Sequence, residues 1–101
     1  MFRGSTPTHT FVLSENIGTL SNVQITYSQH DVVKVVKYLS DCTIVDEHTL
    51  SLKLTQSETL LLQSGDVVEI QIKALSKGND VFLSDVMNVG VRRCLNDKEI
   101  S

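Results

Sequence analysis

Apolar and polar residues alternate at a period of two in four stretches of this 101-residue chain: 23–27, 50–54, 68–72 and 87–91. Successive residues of a β-strand point to opposite faces of a sheet, so the alternation is typical of strands with one buried and one solvated face. Four or more such strands in a short chain predict antiparallel pairing around one core. That core lies either between two sheets or inside a barrel.

Turn-forming residues divide the chain into seven predicted strands and one short helical turn. The strands cover 9–13, 21–28, 32–39, 42–45, 50–54, 67–75 and 81–94, and the helical turn covers 56–61. Short links without a βαβ pattern predict an all-β fold. Seven strands in a chain of this length indicate an immunoglobulin-like antiparallel β-sandwich, with a small barrel as the alternative. The chain contains no Trp, so it is not a true antibody-type domain.

The segment 32–39 fits two periodicities. On a helix, one face would carry Val32, Val35, Val36 and Leu39. Four valines among eight residues favour a strand instead, because β-branched side chains lose rotamer freedom in a helix and pack well on a sheet. We therefore expect a hairpin with 21–28. The valines occur on both faces of this strand, so its second face is either a docking surface or covered by 60–62.

Local signals place the remaining features. Thr55 and Glu58 fit a capping box that starts the helical turn. Ile17 is expected to plug the core from a loop, and a bulge or bend at 84–85 is expected to let the last strand curl around the sandwich. We expect one domain over 1–101, with flexible tails at 1–8 and 96–101.

Composition and charge exclude several classes of protein. Hydrophobic residues make up 41% of the chain, and its longest apolar runs are far shorter than the ~20 residues of a membrane span. The net charge is −3 with the cations scattered, so we expect neither nucleic acid nor a membrane as a partner. We also expect no secretory signal, because the N-terminus lacks an apolar segment. Cys42 and Cys94 are expected to be reduced, with a disulfide between facing sheets as the alternative.

The residues that usually carry chemistry do not converge in the sequence. The three histidines, His9, His30 and His48, stand at no metal-ligand spacing. No nucleophile elbow and no glycine-rich phosphate loop is present. The acidic pair Asp46 and Glu47 beside His48 fits a solvated loop better than an acid–base pair. We therefore expect no enzyme, no catalytic residue, no metal site and no cofactor.

Four segments carry a resemblance to a known group of proteins. They are 3–11 (RGSTPTHTF), 23–29 (VQITYSQ), 52–59 (LKLTQSET) and 68–72 (VEIQI). The chain resembles small proteins encoded by phages and prophages of Gram-positive bacteria, over 3 to about 97. It is more loosely similar to the immunoglobulin-like domain at the N-terminus of phage baseplate upper proteins. The matching residues are mostly core and turn positions, so the resemblance implies a fold and a setting but no site residue.

Two functions follow as hypotheses. The first is a virion or tail component that docks onto another phage structural protein or onto itself as a homo-oligomer, made in the host cytoplasm and carried into the virion. An exposed edge strand would serve this docking; the candidate residues are His9, Phe11, Val32, Lys34, Val36 and Tyr38. The alternative is an anti-CRISPR-like inhibitor of a host defence protein, with Asp41, Asp46, Glu47 and 97–99 imitating nucleic acid. A carbohydrate-binding module is a weaker third reading, since the chain has five aromatic residues.

Overall fold

A computed structural model describes residues 1–100 and contains eight strands among them. The strands are β1 (Thr8–Val12), β2 (Leu20–Gln29), β3 (Val32–Tyr38), β4 (Thr43–Ile44), β5 (Thr49–Lys53), β6 (Val67–Ser76), β7 (Val81–Leu83) and β8 (Met87–Gly90). One helix, α1 (Gln56–Leu60), separates β5 from β6, and short 3-10 turns cover Ile17–Thr19 and Leu39–Asp41. The ambiguous segment after residue 31 is a strand, as its valines predict.

The strands form two antiparallel sheets. The smaller sheet has the order β1-β5-β4, and the larger has the order β3-β2-β6-β7, with β8 also pairing with β6. Both sheets contribute to one hydrophobic core, so the predicted all-β antiparallel sandwich is confirmed. The order of its strands differs from that of an antibody domain. The second and third strands of an antibody domain lie in opposite sheets, whereas β2 and β3 here form the predicted hairpin in one sheet.

The core lies where alternate residues of the long strands β2 and β6 face the smaller sheet. Their register places Ile25 beside Ile72 and Tyr27 beside Ile70, and all four side chains are buried. From the smaller sheet, β5 contributes buried leucines to the same core, Leu50 and Leu52 among them. Burying a side chain of this size contributes about 1.5–3 kcal/mol, so these side chains are a major source of stability. Ile17 is buried as well, as the predicted plug requires.

The capping box predicted for α1 is present. The Thr55 hydroxyl accepts a hydrogen bond from the Glu58 amide, and a Glu58 carboxylate oxygen accepts one from the Thr55 amide at 2.8 Å. These bonds satisfy amides that the first turn of a helix leaves without partners. The chain then continues into Leu62, which is buried, so α1 closes one end of the core.

The prediction of one long final strand over 81–94 is wrong, and the prediction of a break at 84–85 explains why. Between the pairs Lys73–Leu83 and Ile70–Met87, β6 advances three residues while the other strand advances four. The extra residue interrupts the ladder and divides the predicted strand into β7 and β8. Ser84 holds the interruption in place, because its hydroxyl oxygen accepts the Ile72 amide hydrogen at 2.9 Å.

The predicted tails make specific contacts. The amide of Arg3 donates to the carbonyl of Arg92 at 2.9 Å, and the N-terminal ammonium donates to the carbonyl of Gly90 at 2.6 Å. The Arg3 guanidinium donates to the carbonyls of Leu60 and Leu62, at the end of α1, where a cation is favourable. Residue 101, the last of the predicted C-terminal tail, lies outside the described residues.

The β2–β3 hairpin turns through His30 and Asp31, which both have positive φ, 49° and 62°. Two such residues make the tight connection that suits the twist of paired strands. This backbone region is unfavourable for residues other than glycine, because their Cβ comes close to the following carbonyl oxygen.

We expect Asp31→Gly to raise the free energy of unfolding by about 0.5 kcal/mol, because glycine relieves the steric cost but enters the unfolded chain with more entropy. Asp31→Ala keeps the steric cost and loses the local hydrogen bonding by which a short polar side chain tolerates this backbone region, so it should lower the free energy of unfolding by about 1 kcal/mol. Urea unfolding of the two variants checks this. A glycine variant no more stable than the alanine variant would contradict the turn geometry.

Candidate functional site

The outward side of the five-stranded sheet carries a polar floor between two apolar margins. Register aligns Tyr38, Gln24, Lys73 and Leu83 in one row across β3, β2, β6 and β7. We call this side the outer face. One margin consists of Val33, Val36 and Tyr38, and the other consists of Leu75, Val81 and Leu83; all six side chains are exposed. Three strand spacings separate β3 from β7, so Tyr38 and Leu83 lie about 14 Å apart.

The outer face carries two cavities. One cavity of about 230 Å³ lies over the polar floor, with Thr26, Ser28, Glu69 and Gln71 in its lining. A second, of about 280 Å³, lies between Tyr38 and the other margin at Leu75 and Val81. The floor offers hydroxyl, amide and charged groups of both signs, and the margins offer apolar contacts. This combination suits a protein surface, where a few apolar contacts are supported by polar ones.

The candidate residues on β3 divide between this face and the strand edge. Val36 lies beside Thr26 and Tyr38 beside Gln24, so both point outward onto one margin. Val32 lies beside Gln29 at the hairpin end and is exposed. Val32, Val36 and Tyr38 remain exposed in the part of the chain that the structure describes, and Leu61, within the segment offered as the alternative cover, is itself exposed.

The edge of β3 is poorly suited to pairing with another strand. Tyr27 pairs with Val35 and Ser28 with Val33, so Lys34 is an extra residue at a β-bulge. Bulges and lysines on an edge strand hinder the addition of further strands. At the other end the amide of Tyr38 already donates to the Asp41 carboxylate at 2.9 Å. Docking at β3 therefore favours the face over the edge.

His9 and Phe11, the candidates on β1, point into the sandwich. Phe11 is buried, and His9 stacks on the Tyr27 ring and shares a hydrogen bond of 2.7 Å with its hydroxyl. Burial, together with the charged N-terminus, lowers the pKa of His9. Burial, and then the charges of Cys42 and Glu58, raises the pKa of Tyr27. Phe11 is part of the core and His9 packs beside it, so β1 can offer a partner mainly its backbone and its outward residues.

Lys37 and Glu58 form an ion pair between β3 and α1. Lys37 lies beside Ile25 and therefore faces inward, at the margin where the smaller sheet ends. Each side chain retains only 19% of its exposure. Burial acts to raise the pKa of Glu58, but hydrogen bonds from Lys37 and Thr55 outweigh it and hold that pKa below its ordinary value. The sequence shows the capping box but not this second role of Glu58.

Gln29 is a buried polar residue that the sequence did not single out. Its amide nitrogen donates to the Gln63 carbonyl at 2.9 Å, and its oxygen accepts the Gln63 amide hydrogen at 2.7 Å. A buried amide needs such partners, since an unpaired one costs about 1–3 kcal/mol. The pair fastens the end of β2 to the loop after α1. The sequence could have indicated this pair, because Gln29 continues the inward-facing positions of an alternating strand, where an apolar residue is expected.

The other histidines and the acidic residues are separated. His30 lies 3.0 Å from Asp66, whose carboxylate raises the pKa of the imidazole through a hydrogen bond, whereas His48 contacts carbonyl oxygens. Within residues 1–100, no group of three or more His, Cys, Asp and Glu side chains could hold a metal ion. Cys42 and Cys94 are free, as expected.

The acidic residues of the inhibitor hypothesis do not form one surface. Asp46 accepts a hydrogen bond from the His48 amide near the start of β5, and Asp97 pairs with Arg3 beyond its other end. The five residues of β5 put about 17 Å between these regions. Mimicry of nucleic acid requires a denser row of charges than this arrangement provides.

Comparisons with protein-family models, curated proteins and solved structures find no match to this chain. None of the helices described in residues 1–100 is long and apolar enough to cross a membrane.

We expect Glu58→Gln to lower the free energy of unfolding by about 1 kcal/mol at pH 7, because glutamine can keep the capping box but leaves the mostly buried Lys37 without a counter-charge. A carboxylate whose pKa is lowered by folding stabilises above its unfolded pKa, near 4.3, and the stabilisation disappears below it. The difference from wild type should therefore shrink between pH 5 and about pH 3.

Urea unfolding across this pH range measures the difference. Glu47→Gln, in an exposed loop, is the matched control and should leave stability unchanged. A difference that stays constant with pH would show that the ion pair does not stabilise the fold.

Proposed function

We propose that this chain is a non-catalytic protein-interaction module, a structural or assembly component of a phage particle, and that it docks onto another protein of the particle through the outer face. The observation that carries the proposal is the six exposed apolar side chains on one face of the larger sheet. Each margin groups three of these side chains, and such groups of exposed apolar residues on a small protein often mark a binding site, because exposing them to water is unfavourable.

The distribution of chemistry over the outer face supports a protein partner. Tyr38 offers the aromatic surface and the hydroxyl that interface centres commonly use. Lys73 and Glu69 place one charge of each sign on the polar floor, which favours a partner with its own mixed charges. Both cavities are smaller than the roughly 300 Å³ at which small-molecule pockets begin, so the face suits a broad complementary surface rather than an enclosed small molecule.

The phage setting rests on the resemblance to small phage and prophage proteins and to the N-terminal domain of baseplate upper proteins. A module of this kind would hold its place in a particle by surface complementarity. Its core and its ion pair then serve to keep the outer face in one shape, because a rigid face loses less entropy on docking.

The proposal predicts that Val33→Asp and Val81→Asp, one on each margin, abolish co-purification with phage structural proteins. A charge within an apolar contact would lose its water without gaining a partner. Affinity-tagged chain, expressed in cells that produce the phage, is purified and its bound proteins are identified by mass spectrometry. Val45→Asp is the control, since Val45 is exposed to the same degree, 59% against 58% and 57%, but lies outside the outer face.

Capture of phage structural proteins by wild type and Val45→Asp, but not by the two margin variants, is the expected result. Capture of a host defence enzyme instead would favour the inhibitor hypothesis. Self-association of wild type, seen by light scattering and lost in the margin variants, would assign the outer face to a homo-oligomer. Equal capture by all four proteins would overturn the role of the outer face.

A further inference from the structure

The backbone of β1 has an open edge. Leu13 donates to the carbonyl of His48, and Leu54 donates to the carbonyl of Pro7. These bonds fix the alternation of the antiparallel β1–β5 ladder, in which every second residue bonds its neighbour. Thr8, Thr10 and Val12 are the residues in between, so their N–H and C=O groups point away from β5. The part of the chain that the structure describes gives their amides no other partner.

This edge lacks the features that protect β3. The pairing of β1 with β5 runs from Thr8 to Val12 without a register shift. No lysine, proline or bulge interrupts the strand, and its outward side chain Val12 is 77% exposed. Edge strands of this kind accept further strands readily. The two edges of the sandwich therefore differ in the property that decides strand addition.

The larger sheet extends beyond β1 by one strand. Phe82 of β7 lies beside Ala74, whose side chain is buried in the core, so Phe82 also faces inward. Phe82 is nevertheless 39% exposed, because no strand of the smaller sheet lies above it. The uncovered space above Phe82 is a cleft of about 240 Å³, lined by Val12 and Leu13 on one side and Phe82 on the other.

We infer that this cleft accepts one extended strand from another protein, which pairs antiparallel with β1 and covers Phe82. The added strand would become the fourth of the smaller sheet and would satisfy the open groups of Thr10 and Val12. It would also bury the inward face of β7. Leu83 borders both this cleft and the outer face, but Phe82 lies on the opposite side of β7, so failure of docking at the outer face would leave this inference standing.

The geometry selects a lone strand over a second copy of this chain. A copy that paired through its own β1 would carry its β6 and β7 beneath that strand. These would occupy the layer, about 10 Å below, that β7 of the first copy already fills. A single extended segment brings no second sheet with it and therefore fits the cleft above Phe82.

The lining also sets the chemistry of the segment. Its inward positions meet Ile72, Ala74 and Phe82, so alternate residues should be apolar. Glu15 is the charged residue of the lining and lies just beyond the end of β1. An antiparallel strand starts at that end, so a lysine or arginine at its N-terminal position would be paired with Glu15.

The probe for this site is the acetylated and amidated heptapeptide Lys-Val-Thr-Val-Thr-Val-Thr, titrated into the ¹⁵N-labelled full chain. We expect saturable shifts of the Thr10 and Val12 amide signals. Thr10→Pro removes a donor that has no partner within the fold and should weaken binding at least about tenfold. Phe82→Ala should weaken it by a similar factor. Ile44→Ala, at an exposed apolar position of β4 on the opposite edge of the smaller sheet, is the control for Phe82→Ala and should bind as wild type does.

Two further arms keep the test decisive if Thr10→Pro does not fold. A peptide with N-methylated amides at alternate positions leaves the protein unchanged and should not bind, because it cannot complete the ladder. A peptide with Glu in place of its Lys should bind more weakly. Shifts confined to β3, the absence of saturable binding, or equal affinity of the N-methylated peptide would each overturn the inference.

Discussion

Two sheets of unequal width have to enclose one core, and most features of this fold follow from that constraint. Three strands cannot cover five, so the inward side of the larger sheet extends beyond the smaller sheet at both of its edges, β1 and β4. On the β3 side, α1 and the ion pair between Lys37 and Glu58 close the gap. On the other side, residues 1–3 pair with the segment after β8, while the inner face of β7 at Phe82 stays partly open.

The polar residues at inward positions mark the places where the cover ends. Lys37 and Gln29 occupy strand positions that would be apolar beneath a complete second sheet, and each has a specific partner in or after α1. Such groups add little net stability compared with apolar contacts, but leaving one unpaired is costly. They therefore fix where α1 and its following loop must dock. The helix is short, and its position depends on these side-chain contacts more than on its own propensity.

The sequence predicts the strands well because burial of one face forces a period of two. The hairpin between β2 and β3, the capping box at Thr55 and the buried Ile17 all follow from local signals, and all are confirmed. Pairing order is different, because alternation states which residues face inward but not which strand lies beside them. For the same reason β1 appears from its sequence to offer His9 and Phe11 to a partner, although both point into the core.

The candidate surfaces were harder to predict than the fold, because edge protection is a property of register. Lys34 belongs to an ordinary valine-rich strand in the sequence, and only its unpaired place opposite Tyr27 and Ser28 makes it a bulge. This bulge makes the edge of β3 unsuitable for pairing with a further strand. The edge that stays suitable is that of β1, in the smaller sheet, which packs against the side opposite the outer face. Phe82 faces inward from β7, whereas the outer face is the opposite side of the same sheet, so a strand bound in the proposed cleft would leave the outer face accessible.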